Sequence, residues 1–139
     1  MARATTAATV MSFTASSTEF VEFSDIKRFA DNSGFVAKIR VGAREYSCAG
    51  KSFYFHELPS FLTQLKQSFL DLRGCAELRH RYEEEFVRFE FTPRGHVIVS
   101  GLLRETPGCR LQFIFEADQT FVPPFISSVE RVLSELFTA

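Results

Sequence analysis

The segment that decides the fold of this chain spans residues 87–117 and has the sequence VRFEFTPRGHVIVSGLLRETPGCRLQFIFEA. Apolar and polar residues alternate in three successive runs, which is the period of a β-strand with one buried face. Turn-forming residues separate the runs. Pro93 and Gly95 lie between the first two runs, and Pro107 and Gly108 lie before the third. The segment therefore predicts three consecutive antiparallel strands.

The turn at Pro93-Arg94-Gly95 also predicts how the first two strands pair. A three-residue loop with glycine in the left-handed position places Phe91 opposite Val97 and Phe89 opposite Val99. Both apolar sets then point to the same side of the sheet, so the pattern and the register agree.

A second hairpin is predicted upstream of this segment. A strand-like run over residues 19–26 is followed by turn-forming residues at 31–34 and by a second alternating run that ends at Val41. A two-residue loop at Gly42-Ala43 places Val41 opposite Arg44 and Ile39 opposite Tyr46. Residues 52–55 form a further extended piece.

Two segments have the spacing of amphipathic helices. The first has Pro59 in its first turn and Gly74 just past its end, and the second begins near Pro123-Pro124. The order of elements predicts an α+β fold, with an antiparallel sheet of about six or seven strands and two helices packed on one face. The apolar stripes of the two helices are Leu58, Phe61, Leu62, Leu65, Phe69 and Leu72, and then Phe125, Ile126, Val129, Val132, Leu133 and Leu136.

Length and composition are those of one ordinary globular domain. The chain has 139 residues, of which 45% are hydrophobic and 24% charged, and this composition excludes a disordered or low-complexity chain. Residues 1–17 are rich in Ala, Thr and Ser and predict a flexible N-terminal tail, followed by a single α+β domain over residues 18–139. Whether Met1 or Met11 is the native start stays open.

Charge and cysteine content narrow the possible partners. The net charge of -1 and the pI near 6.3 give no electrostatic footprint for nucleic acid, and no apolar run is long enough for a membrane span. The 3 cysteines lack CxxC spacing, which argues against a disulfide framework and favours a reducing, cytoplasmic setting.

Catalytic and cofactor motifs are absent from the sequence, so we expect no enzyme activity, no cofactor and no metal site. The spacing of Cys75 and His80 is a weak zinc-like match that we interpret as coincidence. Asp118 is expected to cap a turn. The alternative interpretation is a small enzyme or ligand-binding domain, in which His56, His96 or Asp118 converge in a pocket between the helices and the sheet.

The face of the sheet that points away from the core is the most informative feature for function. Apolar side chains alternate there with charged ones, a mixture typical of non-obligate protein interfaces. The acidic run at residues 83–85 is either a solvated loop or a lip that contacts a basic partner. The predicted partner-binding residues are Glu83, Glu84, Glu85, Phe86, Arg88, Glu90, Ile98, Leu102, Ile114 and Glu116. Coverage of this face by an early strand is equally compatible with the pattern.

The C-terminal half resembles the WapI-type immunity proteins of bacteria. The resemblance covers residues 19–137 and is carried by three segments, namely residues 95–103, residues 111–120, and Pro124-Phe125-Ile126 leading into an apolar helix. It implies a small cytoplasmic protein that binds and neutralises the toxin domain of a contact-dependent system, and it implies no catalytic residues. A homodimer built through the sheet is a third possibility that the pattern leaves open.

Overall fold

Eight strands and two helices make up the described part of the computed structural model, which covers residues 10–29, 34–55, 58–80, 84–106 and 109–138. A 3-10 turn, Gln119–Phe121, joins the last strand to the last helix. The elements in chain order are β1 (Met11–Thr14), β2 (Glu19–Arg28), β3 (Phe35–Ala43), β4 (Tyr46–Phe55), α1 (Leu58–Asp71), β5 (Gly74–Arg79), β6 (Phe86–Phe91), β7 (His96–Thr106), β8 (Cys109–Asp118) and α2 (Val122–Thr138).

The strands form two antiparallel sheets of four. Sheet A has the order β1-β2-β3-β4 and sheet B the order β5-β6-β7-β8, so every ladder joins neighbours in the sequence. The α+β class is confirmed, but the predicted single sheet of six or seven strands is corrected to two. The division falls at α1, which separates β4 from β5, and no ladder joins these two strands in the described part of the chain.

Sheet B follows the predicted pairing. Phe91 lies opposite Val97 and Phe89 opposite Val99, as the turn predicted. Gly95 has a φ of +83°, the left-handed conformation for which glycine was expected. The register of β6 and β7 is therefore confirmed.

The β3–β4 hairpin exists, but its predicted register is wrong. The turn is Arg44-Glu45, and Ala43 pairs with Tyr46 across it. Arg44 has a φ of +65°, so the turn uses a non-glycine residue in the left-handed region. Gly42 lies within β3 opposite Phe20, and a Cβ at this position would come within 2.6 Å of the Phe20 ring. The glycine serves a close side-chain approach instead of a turn.

The predicted tail also needs correction. Residues 11–14 form β1, and Met11 and Phe13 are both fully buried. The Phe13 ring lies 5.6 Å from that of Phe89 in sheet B and 6.0 Å from that of Phe125 in α2. The ordered core therefore begins before residue 18, the predicted boundary, and residues 1–9 lie outside the described part of the chain.

Each sheet buries one face in the same hydrophobic core, which the two helices also join. In α1 the stripe residues Leu58, Phe61 and Leu65 are buried, whereas Leu70 is 75% exposed. The Phe61 ring lies 5.9 Å from Phe89, so α1 packs on the inner face of sheet B. Burial of each phenylalanine contributes roughly 1.5–3 kcal/mol to stability. Neither of the two described helices packs on the opposite face of sheet B.

Candidate protein-binding surface

The outer face of sheet B, meaning the side chains of β5–β8 that point away from the core, collects most of the predicted site residues. Strand alternation and register place them in rows across the sheet. Glu90, Ile98 and Glu116 form one row, and Phe86 and Leu102 lie side by side in another. The sequence-predicted side chains on the outer face are Phe86, Arg88, Glu90, Ile98, Leu102, Ile114 and Glu116.

Exposure differs strongly among these side chains. Ile114 is 68% exposed, whereas Leu102 is only 7% exposed and is covered by its neighbours. Phe86 and Ile98 are half-buried, and Glu90 is exposed. The outer face therefore has an apolar centre that is partly open to solvent, with carboxylates beside it.

Arg88 adds an unused donor to this surface. It lies between Glu77 on β5 and Ser100 on β7 and is half-buried. Its Nε is buried and has no hydrogen-bond acceptor among the described residues. A buried donor without a partner costs about 1–3 kcal/mol. The guanidinium can donate hydrogen bonds to a partner's carboxylate or carbonyl oxygen.

The residues of the predicted acidic lip lie in different environments. Glu84 is exposed and lies 3.4 Å from Arg104 and 3.8 Å from Arg110. Glu85 is fully buried, and its Oε2 accepts a hydrogen bond of 2.6 Å from the backbone N–H of Arg104. Its Oε1 lies 3.6 Å from Nε2 of His80. The expectation that Glu85 belongs to an exposed lip is wrong, and Glu83 lies outside the described residues.

A groove runs along the outer edge of sheet B, between β8 and the tip of the β3–β4 hairpin. Its volume is about 710 Å³. We call it the edge groove, and its lining comprises Ala43, Arg44, Glu45 and Tyr46 of the hairpin, Ile98 of β7, and residues 111–116 of β8. Tyr46 is 66% exposed. Three predicted site residues, Ile98, Ile114 and Glu116, contribute to it.

Tyr46 is the surface residue that the sequence reasoning missed. The wrong hairpin register placed Tyr46 opposite Ile39 and so assigned it to the core. The informative signal was the charged pair Arg44-Glu45 immediately before it, because charged residues are common in exposed turns.

The candidate polar groups of the alternative interpretation have structural partners. Asp118 caps the 3-10 turn by accepting a 2.9 Å hydrogen bond from the backbone N–H of Thr120. The backbone and side-chain hydrogen bonds from Thr120 lower the pKa of Asp118, and nearby His96 acts in the same direction. Nδ1 of His96 forms a hydrogen bond with the Glu116 carboxylate. His96 and Asp118 lie opposite each other but do not line the edge groove, and His56 lies outside the described residues.

Metal sites and membrane-spanning helices are absent from the described residues. The described residues contain no group of three or more His, Cys, Asp and Glu side chains that could hold a metal ion. Within the same part of the chain, neither helix combines the length and the apolar character needed to cross a bilayer.

Comparison with protein families gives a match over nearly the whole chain. The profile of the immunity protein WapI-like family matches residues 12–136. No curated protein and no solved structure matches the sequence.

Proposed function

The chain belongs to the WapI-like immunity protein family, and from this premise we propose that it binds a cognate bacterial toxin domain and neutralises it by occlusion. The observation that carries the proposal beyond the family name is the outer face of sheet B. Ile114 is 68% exposed there, and both helices pack on the other side of the sheet. Large exposed apolar side chains within a polar rim are typical of protein interfaces.

The polar groups of the outer face support a protein partner of mixed charge. The Arg88 Nε has no acceptor among the described residues, and Glu90 and Glu116 are exposed. A partner that offers a carboxylate to Arg88 and a cationic side chain to Glu90 would complement these groups, and Glu116 already bonds His96. Such complementarity raises specificity and association rate more than it raises affinity.

Inhibition by occlusion needs no catalytic group, and we propose that the protein is not an enzyme. A general base works best when its pKa lies near the operating pH, and Asp118 has its pKa moved further below that range. His96 is in contact with Glu116. Both residues have evident structural roles at the junction of β8 and the 3-10 turn.

We further propose that the protein acts in the bacterial cytoplasm on a protein partner, without nucleic acid or membrane. The near-neutral net charge of -1 supports a partner that is not strongly anionic. A homodimer is a separate possibility, which light scattering at several concentrations tests.

Co-expression tests the function directly. The partner to use is the C-terminal domain encoded by the reading frame immediately upstream of this gene. We expect the domain alone to stop growth of the host, and co-expression of this chain to restore growth and yield a complex that co-purifies. Absence of both rescue and complex would refute the proposal.

A substitution on the outer face locates the contact. Ile114→Asp places a charge at the apolar centre, and interface anchors cost about 2 kcal/mol or more when lost, so we expect the Kd for the toxin domain to rise at least tenfold. Leu70→Asp is the matched control, because Leu70 is 75% exposed but lies on α1. Titration calorimetry of both variants checks this, and equal weakening by the two variants would contradict it.

A further inference from the structure

β8 is the last strand of sheet B, so no described strand is hydrogen-bonded to one of its edges, although the tip of the β3–β4 hairpin lies close to it. The register shows which backbone groups point to that edge. The N–H of Gln119 bonds the carbonyl of Gly95 at 2.9 Å, continuing the ladder in which His96 opposes Asp118. Because bonded and non-bonded pairs alternate in an antiparallel ladder, the even-numbered residues of β8 direct their N–H and C=O groups away from β7.

This edge has charged side chains and a nearby hairpin tip, but it lacks the other features that usually protect an edge strand. Protective features include short length, lysine or proline on the strand, and bulges that twist it away. β8 is 10 residues long, contains neither lysine nor proline, and has its register irregularity only at its beginning. All five even-numbered residues from 110 to 118 are exposed. A long edge without hydrogen-bonded neighbours is a template for strand addition.

The edge groove has the form expected of a slot for one strand. A depression on a sheet face is lined by alternate residues, whereas this groove is lined by the consecutive residues 111–116 of β8. Its lining therefore follows the strand edge. The hairpin tip with Tyr46 forms the opposite wall, which provides an aromatic surface for an inserted segment.

The charges along β8 define what fits. Arg110 lies near the beginning of the strand and Glu116 near its end, with their side chains 57% and 56% exposed. The exposed Ile114 lies between them. An antiparallel segment runs in the opposite direction, so its first residue meets Glu116 and its last meets Arg110.

We propose that the free edge of β8 accepts one extended segment of a protein partner in antiparallel orientation, with a cationic residue opposite Glu116, an apolar residue opposite Ile114 and a carboxylate opposite Arg110. Backbone hydrogen bonds from residues 112, 114 and 116 hold the segment, and the end charges fix its direction and register. The inference rests on the proposed function in identifying the partner as the toxin domain, but the binding site itself is testable without that domain.

A synthetic heptapeptide with lysine first, valine third and glutamate last is the probe, with threonine at the other positions. The control peptide exchanges the two charges. NMR titration of the full chain should show perturbed backbone amides, and slowed amide exchange, at Gln112, Ile114 and Glu116. The amides of Phe113 and Phe115 already face β7, so their exchange should change little. We expect the control peptide to bind at least fivefold more weakly.

A charge-swapped chain provides the reciprocal test. In the double variant Arg110→Glu and Glu116→Arg, both positions are exposed, and we expect the preference between the two peptides to reverse. The swap leaves the net charge unchanged. Arg94→Glu, an exposed charge reversal in the β6–β7 turn, is the control for a charge change away from this edge and should leave the preference intact.

Three results would overturn the proposal. These are peptide binding that perturbs other strands, a peptide preference that survives the charge swap, and protection of residues 112, 114 and 116 that grows with protein concentration in the absence of peptide. The last result would identify a second copy of this chain as the occupant. Rescue from the toxin without any effect of the swap would refute strand addition alone, whereas charge-dependent peptide binding without rescue would refute the proposed function alone.

Discussion

Glu84 and Glu85 are adjacent in sequence and lie in opposite environments. Glu84 is exposed and pairs with arginine side chains, whereas the Glu85 carboxylate is fully buried beside His80. The sequence run suggested a single charged surface. Both residues precede β6, and the partly buried backbone N–H of Arg104 gives Glu85 its acceptor role. A count of charges cannot reveal such a role because the partner is 19 residues away in the sequence.

Substitution of the two glutamates should separate these roles. Glu85→Ala removes the acceptor of the Arg104 N–H and should lower the free energy of unfolding by about 1–3 kcal/mol. Glu84→Ala removes only the exposed ion pairs with Arg104 and Arg110 and should cost about 0–1 kcal/mol. Urea unfolding followed by circular dichroism measures both. Equal losses for the two variants would contradict the assigned roles.

At the scale of elements, turn chemistry decided which registers could be predicted. The β6–β7 register was predicted because Gly95 alone fits the left-handed position of its turn. The β3–β4 register was not, because moving the turn from Gly42-Ala43 to Arg44-Glu45 shifts each strand by two residues. A shift of two leaves every side chain on its original face, so the apolar pattern supports both registers equally. The packing of Phe20 over Gly42 decides between them, and this contact joins different strands.

The junction of β8 with the 3-10 turn was predicted correctly, and it carries a pH dependence. The pKa of Asp118 is lowered in the folded protein by its hydrogen bonds to Thr120. A lowered folded pKa means that the stabilisation is complete above the unfolded pKa, near 3.8, and is lost as the pH falls through the folded value. The melting temperature of Asp118→Ala should therefore lie below wild type at pH 7. The difference should shrink as the pH falls below about 4. A difference that stays constant to about pH 2 in calorimetric scans would contradict this cap.

At the scale of the whole molecule, the division into two sheets was beyond sequence reasoning. Local patterns identify strands and turns, but they do not say whether β4 and β5 share a ladder across α1. The N-terminal strand was missed for a related reason. Met11 and Phe13 lie among Ala, Thr and Ser, and only their contacts with residues more than 70 positions away show that they belong to the core. The outer face was predicted because it depends on alternation within neighbouring strands.

Phe13 connects sheet A, sheet B and α2, and its loss should destabilise the whole fold. Its ring lies within 6.3 Å of those of Phe89, Phe115 and Phe125. Phe13→Ala leaves a cavity in the core and should cost about 3–5 kcal/mol. Phe137→Ala is the matched control, because Phe137 is 49% exposed and its truncation leaves no closed cavity. Chemical denaturation measures the free energy of unfolding of both variants. A similar loss of stability for both would contradict the role of Phe13 in connecting the two sheets and α2.

Because every ladder joins strands that follow one another in the chain, the order of synthesis affects how the protein reaches its native state. Sheet A is complete at residue 55, when the segments that cover its apolar face have not yet left the ribosome. Its hydrogen bonds are local and form quickly, yet its apolar face stays partly exposed to water until sheet B and the two helices have been made. The nascent chain therefore passes through a stage in which sheet A is hydrogen-bonded but its apolar face is exposed. Chaperones would bind the chain at this stage.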